Sequence, residues 1–372
     1  MTTSPRVVPG ETQPRPRDSK CLPYAVGAGA IVGLFAISAL VNARLAKKAE
    51  RDNPPTGKFV EVSGIRIHYV DQGEGEPLVL LHGNGSSIQD FESSGLIRLA
   101  SKQFRVIAFD RPGFGHTARP PGKVWTPEAQ AELFAAALEK LGVSRAMVLG
   151  HSWGASVAVA LALRYPRLIE ALIVASGYYY PTARPGVLLL ALPALPIVGS
   201  VIRYSISPVV SRLIWPMLVR KLFSPQREPA KFRAFPKEMT FRPSQVRAAA
   251  AETGLMIPAA YSASARYREL KMPLVIVAGE QDQLIDIEKH SARLHHEVAQ
   301  SAMYRIPRAG HMVHQTATEK VMDAISEAAQ AREEVNLIGF GRQGCSAAMS
   351  AVDLDYPARA VRQLQRGQAG SR

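Results

Sequence analysis

Cysteine is almost absent from this chain. Only Cys21 and Cys345 occur among its 372 residues, and they lie near opposite ends. So few thiols, so far apart, exclude a disulfide framework and argue against a cysteine-ligated metal site. The sequence also lacks a G-x-x-x-x-G-K phosphate-binding loop and any cluster of His and Cys at ligand spacing. We therefore expect neither a metal nor a cofactor.

Acidic residues are scarce relative to basic ones. The chain has 31 Asp and Glu against 45 Lys and Arg, a formal net charge of +14. Such an excess favours an anionic partner, either nucleic acid or a membrane surface. No zinc-finger, RNP-like or helix-turn-helix pattern is present, so nucleic acid is not predicted as a partner.

Charge is missing altogether from one stretch near the N terminus. Leu22 to Val41 contains no charged residue, and its twenty residues match the length of a membrane span. Residues 1–21 are rich in Pro, Thr and Arg, and we expect them to be disordered. A signal peptide cleaved near Val41 to Ala43 is the alternative. The long leading segment and the long apolar run favour an uncleaved, single-pass membrane anchor at 22–41.

The basic residues that flank this run do not assign its orientation. Four precede the run and four follow it: Arg6, Arg15, Arg17 and Lys20, then Arg44, Lys47, Lys48 and Arg51. The positive-inside rule therefore prefers neither side of the membrane. We expect residues 42–57 to form a linker, because the segment ends in the Pro- and Gly-containing stretch Asn53 to Gly57. Residues 331–372 show no sustained periodicity and are predicted to form a flexible tail.

The sequence GHSWG, Gly150 to Gly154, lies between a buried apolar run, Ala146 to Leu149, and a helical one, Ala155 to Tyr165. A G-x-S-x-G string at such a junction is typical of a nucleophile elbow. The strained turn presents the Ser152 hydroxyl at the carboxyl end of a sheet, and the flanking glycines let strand and helix approach closely. Without further residues, the string would indicate only a tight turn.

A serine nucleophile needs a general base and an acid that orients the base. The apolar run Leu274 to Ala278 leads into Asp282, and His311 follows a later short strand and loop, which gives the chain order Ser, acid, His. We prefer His311 to His314 because His314 should begin the last helix. Two further acids flank Asp282: Glu280 lies too close to the strand, and Asp286 belongs to the next helix.

Two backbone amides are candidates for an oxyanion hole. One belongs to Trp153, the residue after the nucleophile. The other belongs to Asn84, in the glycine-containing loop that follows the strand Leu78 to Leu81. The alternative is that this loop is only a glycine-rich turn.

These motifs resemble those of the α/β-hydrolase superfamily over about Lys58 to Gln330. The resemblance rests on five segments: HGNGSS at 82–87, DRPGFG at 110–115, GHSWG at 150–154, GEQD at 279–282 and AGH at 309–311. It implies an α/β fold with a mostly parallel eight-stranded sheet, helices on both faces and a helical cap inserted after strand 6. The core would then comprise 58–177 and 266–330, and the cap 178–265.

Within that superfamily, Asn84 and Trp153 stand where haloalkane dehalogenases place the Asn and Trp that hold the halide. Those enzymes attack with a carboxylate, whereas this chain has Ser152. A serine ether formed by displacing halide could not be hydrolysed by an activated water. We therefore predict acyl transfer, with Asn84 and Trp153 as the oxyanion hole.

The predicted cap combines apolar and basic stretches. Its first part, Gly186 to Ile202, is strongly apolar but is interrupted by Pro193 and Pro196. The part after it carries ten basic residues against Glu228 and Glu238: Arg203, Arg212, Arg220, Lys221, Arg227, Lys231, Arg233, Lys237, Arg242 and Arg247. One interpretation is a second contact with an anionic bilayer. The other is a solvated cap whose apolar side covers the active site.

Together these features predict a membrane-anchored serine hydrolase that cleaves carboxylic ester bonds of a hydrophobic acyl substrate. A carbon–carbon bond hydrolase of the meta-cleavage type would share the triad and the helical cap, and a thioesterase is a further alternative. From another class, the domain could be a non-catalytic ligand-binding or scaffold module on the same fold.

Overall fold

The computed structural model describes residues 21–345, with side-chain exposure given for residues 29–337. Residues 1–20 and 346–372 lie outside the described part. The predicted disordered segment therefore falls outside it except for its last residue, and so does most of the predicted tail.

Eight strands form a single mixed sheet with the order β1-β2-β4-β3-β5-β6-β7-β8. The prediction of a mostly parallel sheet needs one refinement, because β2 runs antiparallel to both β1 and β4 while all pairs from β4 to β8 are parallel. The reason is local: Ser63 and Gly64 have positive φ and join β1 to β2 in a two-residue hairpin. The strands are β1 Lys58–Val62, β2 Ile65–Gln72, β3 Pro77–Leu81, β4 Arg105–Phe109, β5 Ala146–His151, β6 Ile169–Ala175, β7 Leu274–Gly279 and β8 Ser301–Ile306.

Helices cover both faces of this sheet. The α-helices are α1 Cys21–Asp52, α2 Ile88–Ser94, α3 Leu96–Ala100, α4 Pro127–Lys140, α5 Trp153–Arg164, α6 Val187–Ala191, α7 Val198–Val201, α8 Ser207–Phe223, α9 Lys237–Thr240, α10 Pro243–Ser264, α11 Arg293–Glu297, α12 Val313–Thr316 and α13 Thr318–Cys345. Side chains alternate along the central strands, so Val79 and Leu81 pack with α4 and α5 while Leu78 and Leu80 pack with α2, α3 and α13. This double coverage explains why β5 and β7 are buried along their whole length.

The segment between β6 and β7 is helical and contains α6 to α10. We call residues 178–265 the cap. A π-helical turn, Ile202–Ile206, joins α7 to α8. The helix α10 packs on α5 of the core and on α6 of the cap, and it is tied to the core by a buried ion pair. In that pair Arg111, just after β4, donates to both carboxylate oxygens of Glu252.

The N-terminal helix differs from the predicted anchor and linker. One continuous helix, α1, runs from Cys21 to Asp52, so the predicted linker at 42–57 is wrong for 42–52 and only 53–57 connects α1 to β1. Two causes act together. Residues 43–50, ARLAKKAE, are strong helix formers, and this half of the helix packs against the cap, burying Asn42 and Ala49.

The predicted tail also begins later than expected. The helix α13 continues through residue 345, so 331–345 is helical. One side chain at the start of this extension helps to explain it. Arg332 is buried and forms ion pairs with Glu76 and Glu170 of the core.

We predict that Glu252→Ala destabilises the protein strongly, because it leaves the buried Arg111 guanidinium without its carboxylate. Breaking a buried pair from one side costs about 3–5 kcal/mol. Asp323→Ala is the matched control, since Asp323 pairs with Lys320 on the exposed face of α13. That change should cost less than about 1 kcal/mol. Urea unfolding in detergent measures both, and similar small losses for the two variants would contradict the structural role of the Arg111–Glu252 pair.

Candidate active site

Ser152 lies in a sharp turn between β5 and α5. Its backbone has φ 54° and ψ −117°, a left-handed φ that non-glycine residues seldom adopt. The flanking glycines allow the turn. A Cβ on Gly154 would lie 2.1 Å from the carbonyl oxygen of Leu81 in β3, and one on Gly150 would lie 2.3 Å from the carbonyl oxygen of Gly154. The local sequence therefore leaves room only for glycine at both positions.

Ser152, His311 and Asp282 form one hydrogen-bonded chain. Ser152 Oγ lies 3.0 Å from His311 Nε2, and His311 Nδ1 lies 2.7 Å from Asp282 Oδ2. Asp282 follows β7 and His311 follows β8, so the sheet brings together three side chains that are far apart in sequence. With Nδ1–H donated to Asp282, Nε2 is free to accept the Ser152 proton. The arrangement can activate a serine hydroxyl.

The surroundings of Asp282 stabilise its ionised form. Burial alone would raise the pKa of Asp282, but His311 and the backbone amides of Ile285 and Leu284 lower it below its ordinary value. Those amides donate to Oδ1 at 3.0 and 2.7 Å. Oδ1 thus accepts hydrogen bonds from the backbone, and Oδ2 accepts one from His311. The side chain is held in a single orientation.

The competing residues named from the sequence lie elsewhere. Glu280 is exposed and pairs with Arg305 at 3.6 Å. Asp286 is exposed and accepts hydrogen bonds from the backbone amides of Glu288 and Lys289. His314 lies in α12, is fully buried and faces Asp90. None of these three residues takes part in the hydrogen bonds that join Ser152, His311 and Asp282.

The two residues predicted for the oxyanion hole lie beside the serine. Trp153 is the first residue of α5, where N–H groups have no acceptor within the helix. Asn84 follows Gly83, whose backbone is so close to Ser152 that an added Cβ would lie 3.2 Å from the serine Cβ. The Asn84 side chain points to the cap, because Nδ2 donates to the Ala249 carbonyl and to Thr253 Oγ1 of α10, both at 3.1 Å.

The sequence analysis missed a buried network behind His311. His151 Nε2 lies 3.1 Å from the backbone oxygen of His311. The His151 ring also contacts that of His314, with centroids 4.3 Å apart, and His314 Nε2 lies 3.1 Å from Asp90 Oδ1. The only local signal was a histidine at the second position of the G-x-S-x-G string. Its partners come from distant parts of the chain and leave no pattern.

Burial and neighbouring groups shift the pKa values of two members of this network, His151 and Asp90. Burial lowers the pKa of His151 well below its ordinary value, so this ring is neutral. Burial opposes ionisation of Asp90, yet the interactions with His314 and Gln315 lower the pKa of Asp90. Asp90, His151 and His314 offer ligand atoms within 4.8 Å of one another, a spacing that a metal could use. Within the protein, however, Ser86 and Gln315 already donate to Asp90, and His151 bonds to His311.

Comparison with known proteins agrees with this fold. The family model described as "alpha/beta hydrolase fold" matches residues 76–318. A 2-hydroxymuconate semialdehyde hydrolase of Pseudomonas sp. (strain CF600) is 30% identical over 136 residues, which are 36% of this chain and 48% of that protein. The match with this relative thus spans about half of its length.

Two further proteins match over most of their length. Haloalkane dehalogenase 2 of Mycobacterium tuberculosis (strain ATCC 25618 / H37Rv) is 27% identical over 287 residues, 74% of this chain and 95% of the relative. Among solved structures, a thermophilic esterase from Thermogutta terrifontis is similar with a TM-score of 0.61 and 23% identity, covering 74% of this chain and 99% of the esterase. The chain therefore belongs to the α/β-hydrolase family and is similar to its hydrolases.

Proposed function

We propose that this protein is a membrane-anchored serine hydrolase that cleaves carboxylic ester bonds of a hydrophobic substrate through an acyl-enzyme. The observation that carries the proposal is the Ser152–His311–Asp282 chain at a strained strand-to-helix turn. A serine bonded to a histidine that is itself bonded to a buried carboxylate is the arrangement that acyl transfer requires.

In the proposed reaction, Ser152 Oγ attacks the substrate carbonyl carbon while His311 Nε2 takes the serine proton. The backbone amides of Asn84 and Trp153 donate to the oxyanion of the tetrahedral intermediate. The intermediate collapses as His311 returns the proton to the departing alcohol oxygen, which leaves an acyl ester on Ser152. Water, activated by His311, then releases the acid, and Asp282 stabilises the histidine cation in both halves.

The similarity to a haloalkane dehalogenase does not imply dehalogenase activity for this protein. Ser152 stands where the reaction needs a carboxylate, and an alkyl ether on serine would resist hydrolysis. The Asn84 side-chain amide is also engaged, since both of its hydrogen bonds go to α10. For acyl transfer, only its backbone N–H is needed.

Carbon–carbon bond hydrolysis of the meta-cleavage type is the second candidate, favoured by the 2-hydroxymuconate semialdehyde hydrolase relative. Such a substrate carries a carboxylate that needs a cationic partner. Two arginines of the cap are already paired within the protein, because Arg212 pairs with Glu238 and Arg242 with Glu50. Ester hydrolysis therefore remains the first proposal.

The proposed membrane anchor rests on α1. Gly29–Asp52 is long and apolar enough to cross a bilayer, and few of its residues are buried by the rest of the protein. A helix of this kind near an N terminus fits a membrane anchor or a signal sequence. We favour the anchor because α1 continues into contacts with the cap, and only residues 53–57 separate it from β1.

To test the function, the full-length protein in detergent is treated with a fluorophosphonate probe and assayed with p-nitrophenyl esters of graded chain length. We expect labelling of Ser152 and turnover of esters. A dienoate of the meta-cleavage type is assayed in parallel, and its faster turnover would favour the second candidate. Absence of both labelling and turnover would favour a binding or scaffold module.

We predict that Ser152→Ala and His311→Ala each lower kcat on the order of 10⁴-fold, and that the double variant loses little more, because the residues act as one unit. Asp282→Asn should also lower kcat strongly, since the amide cannot stabilise the histidine cation. Glu280→Gln and Asp286→Asn are matched controls on the same loop and should leave the rate unchanged. If Ser152→Ala keeps more than a tenth of wild-type activity, the mechanism is wrong.

We predict no catalytic halide release from haloalkanes, because the only product that Ser152 could form is a stable ether. Ion chromatography of bromide from 1,2-dibromoethane measures this directly. A burst stoichiometric with protein is compatible with the argument. Sustained release that disappears in Ser152→Ala would refute it.

A further inference from the structure

The cap exposes a large apolar surface on its first three helices. Leu188 and Leu189 of α6 are 81% and 71% exposed, Ile197 before α7 is 83% exposed, and Leu213 of α8 is 76% exposed. Further exposed apolar residues lie on the same helices and the turns between them: Leu190, Leu195, Val198, Val201, Val209, Val210 and Met217. We call these residues the apolar cap surface. The surface of a soluble monomeric protein rarely exposes so many large apolar side chains.

Hydrogen bonds determine which part of α1 lies beside the cap helices. Ser38 Oγ donates to the Ser205 carbonyl at 2.7 Å, and Ser205 Oγ donates to the Phe35 carbonyl at 3.1 Å. Asn42 Nδ2 donates to the Tyr204 carbonyl at 2.9 Å. The π-helical turn between α7 and α8 therefore lies beside residues 35–42 of α1. That stretch covers the end of the apolar run Leu22 to Val41.

If α1 spans a bilayer, the position of the cap helices along α1 also sets how deep they lie in that bilayer. Phe35 lies six residues before Val41, about 9 Å along the axis at 1.5 Å per residue. Amphipathic helices that lie in a membrane interface bury their apolar face by about 5–10 Å. The cap helices also have a suitable shape, because the segments Val187–Ala194 and Val198–Phe223 are bent by 91° at the break between them, as in a broken or re-entrant membrane segment.

Basic residues follow the apolar parts of both α1 and α8. Arg44, Lys47, Lys48 and Arg51 follow the apolar run of α1, and Arg220 and Lys221 are exposed in the last turn of α8. Four other basic cap residues, Arg203, Arg212, Lys231 and Arg242, form hydrogen bonds within the protein. Lys231 Nζ, for example, donates to the Ser94 carbonyl and to Thr318 Oγ1, both at 2.7 Å. The apolar surface, more than a basic one, therefore distinguishes this side of the cap.

We infer that α6, α7 and the first turns of α8 insert into one leaflet of the bilayer beside α1, so that the cap is itself a membrane-embedded element. The occupant of the apolar cap surface is lipid acyl chains. Two features of the structure favour lipid: the cap helices contact the apolar part of a helix long enough to span a membrane, and exposed basic residues follow the apolar parts of both α1 and α8.

The inserted helices are connected to the candidate active site. The helix α6 packs on α10, and α10 accepts the hydrogen bonds of Asn84 next to Ser152. Resting on the proposed function, this connection points to a substrate class: an acyl ester dissolved in the bilayer, which reaches Ser152 from beneath the cap without crossing water.

The test of insertion uses full-length protein in liposomes of phosphatidylcholine and phosphatidylglycerol. Cys21 and Cys345 are changed to Ser, and single cysteines are introduced by Leu189→Cys, Ile197→Cys or Leu213→Cys for labelling with an environment-sensitive fluorophore. Val124→Cys is the matched control, because Val124 is an exposed apolar residue of the core, 65% exposed. Lipids brominated on their acyl chains act as quenchers.

We expect blue-shifted emission and quenching by brominated lipid at all three cap positions, and neither effect at Val124. Emission from the cap positions like that of the control would overturn the insertion. Blue-shifted emission without lipid quenching would also overturn it, since a second copy of the chain or another protein would then cover the surface.

A second measurement separates this inference from the proposed function. The triple variant Leu189→Ser, Ile197→Ser, Leu213→Ser should lose activity severalfold toward a long-chain ester embedded in vesicles and keep its activity toward a soluble short-chain ester, which also reports correct folding. Val124→Ser should change neither rate. Equal rates for variant and wild type on the embedded ester would overturn the bilayer route. If the wild-type protein hydrolyses neither ester, the proposed function fails, while the fluorescence result still decides the insertion.

Discussion

The close approach of β5, α5 and β3 is the constraint on which the candidate site depends. Gly154 lies against the Leu81 carbonyl and Gly150 against the carbonyl of Gly154, so the chain can turn only by forcing Ser152 into a left-handed conformation. The burial of β5 along its whole length supports that strain. The same approach places Gly83, and with it the Asn84 loop, against the serine. The positions of the candidate nucleophile and of the candidate oxyanion donors thus have one geometric cause.

His311 is held from two sides, which explains how a residue in a loop can be placed accurately. Asp282, fixed by two backbone amides, binds the ring at Nδ1. His151, on the strained turn itself, binds the His311 backbone carbonyl, and Asp90 and His314 extend this contact inward to α2 and α12. The serine turn and the histidine loop are therefore connected directly as well as through the reacting atoms. A shift in one would be transmitted to the other.

Much of this arrangement could be predicted because its signals are local. Buried apolar runs marked β3, β5 and β7 within a residue or two, and residues at strand ends in the order Ser, Asp, His had to meet at one edge of a parallel sheet. The His151–His314–Asp90 network could not be read from the sequence, because each member looks like an isolated polar residue until packing brings them together. The predicted break after Val41 failed for a similar reason. Residues 43–50 are strong helix formers, but the burial of Asn42 and Ala49 against a cap more than a hundred residues away leaves no signal in the local sequence.

Because of these contacts, the N-terminal helix has a fixed position relative to the cap. A flexible linker would let the folded core move freely relative to the N-terminal helix, whereas α1 reaches the core as one continuous helix. Asn42 accepts a hydrogen bond from Arg212, and Glu50 pairs with Arg242, whose buried guanidinium also donates to the Gly115 carbonyl. Removing α1 would therefore leave buried polar groups of the cap without partners, which costs free energy. The helix fixes the orientation of the cap, and through α10 the orientation of the candidate site, relative to whatever surrounds its apolar half.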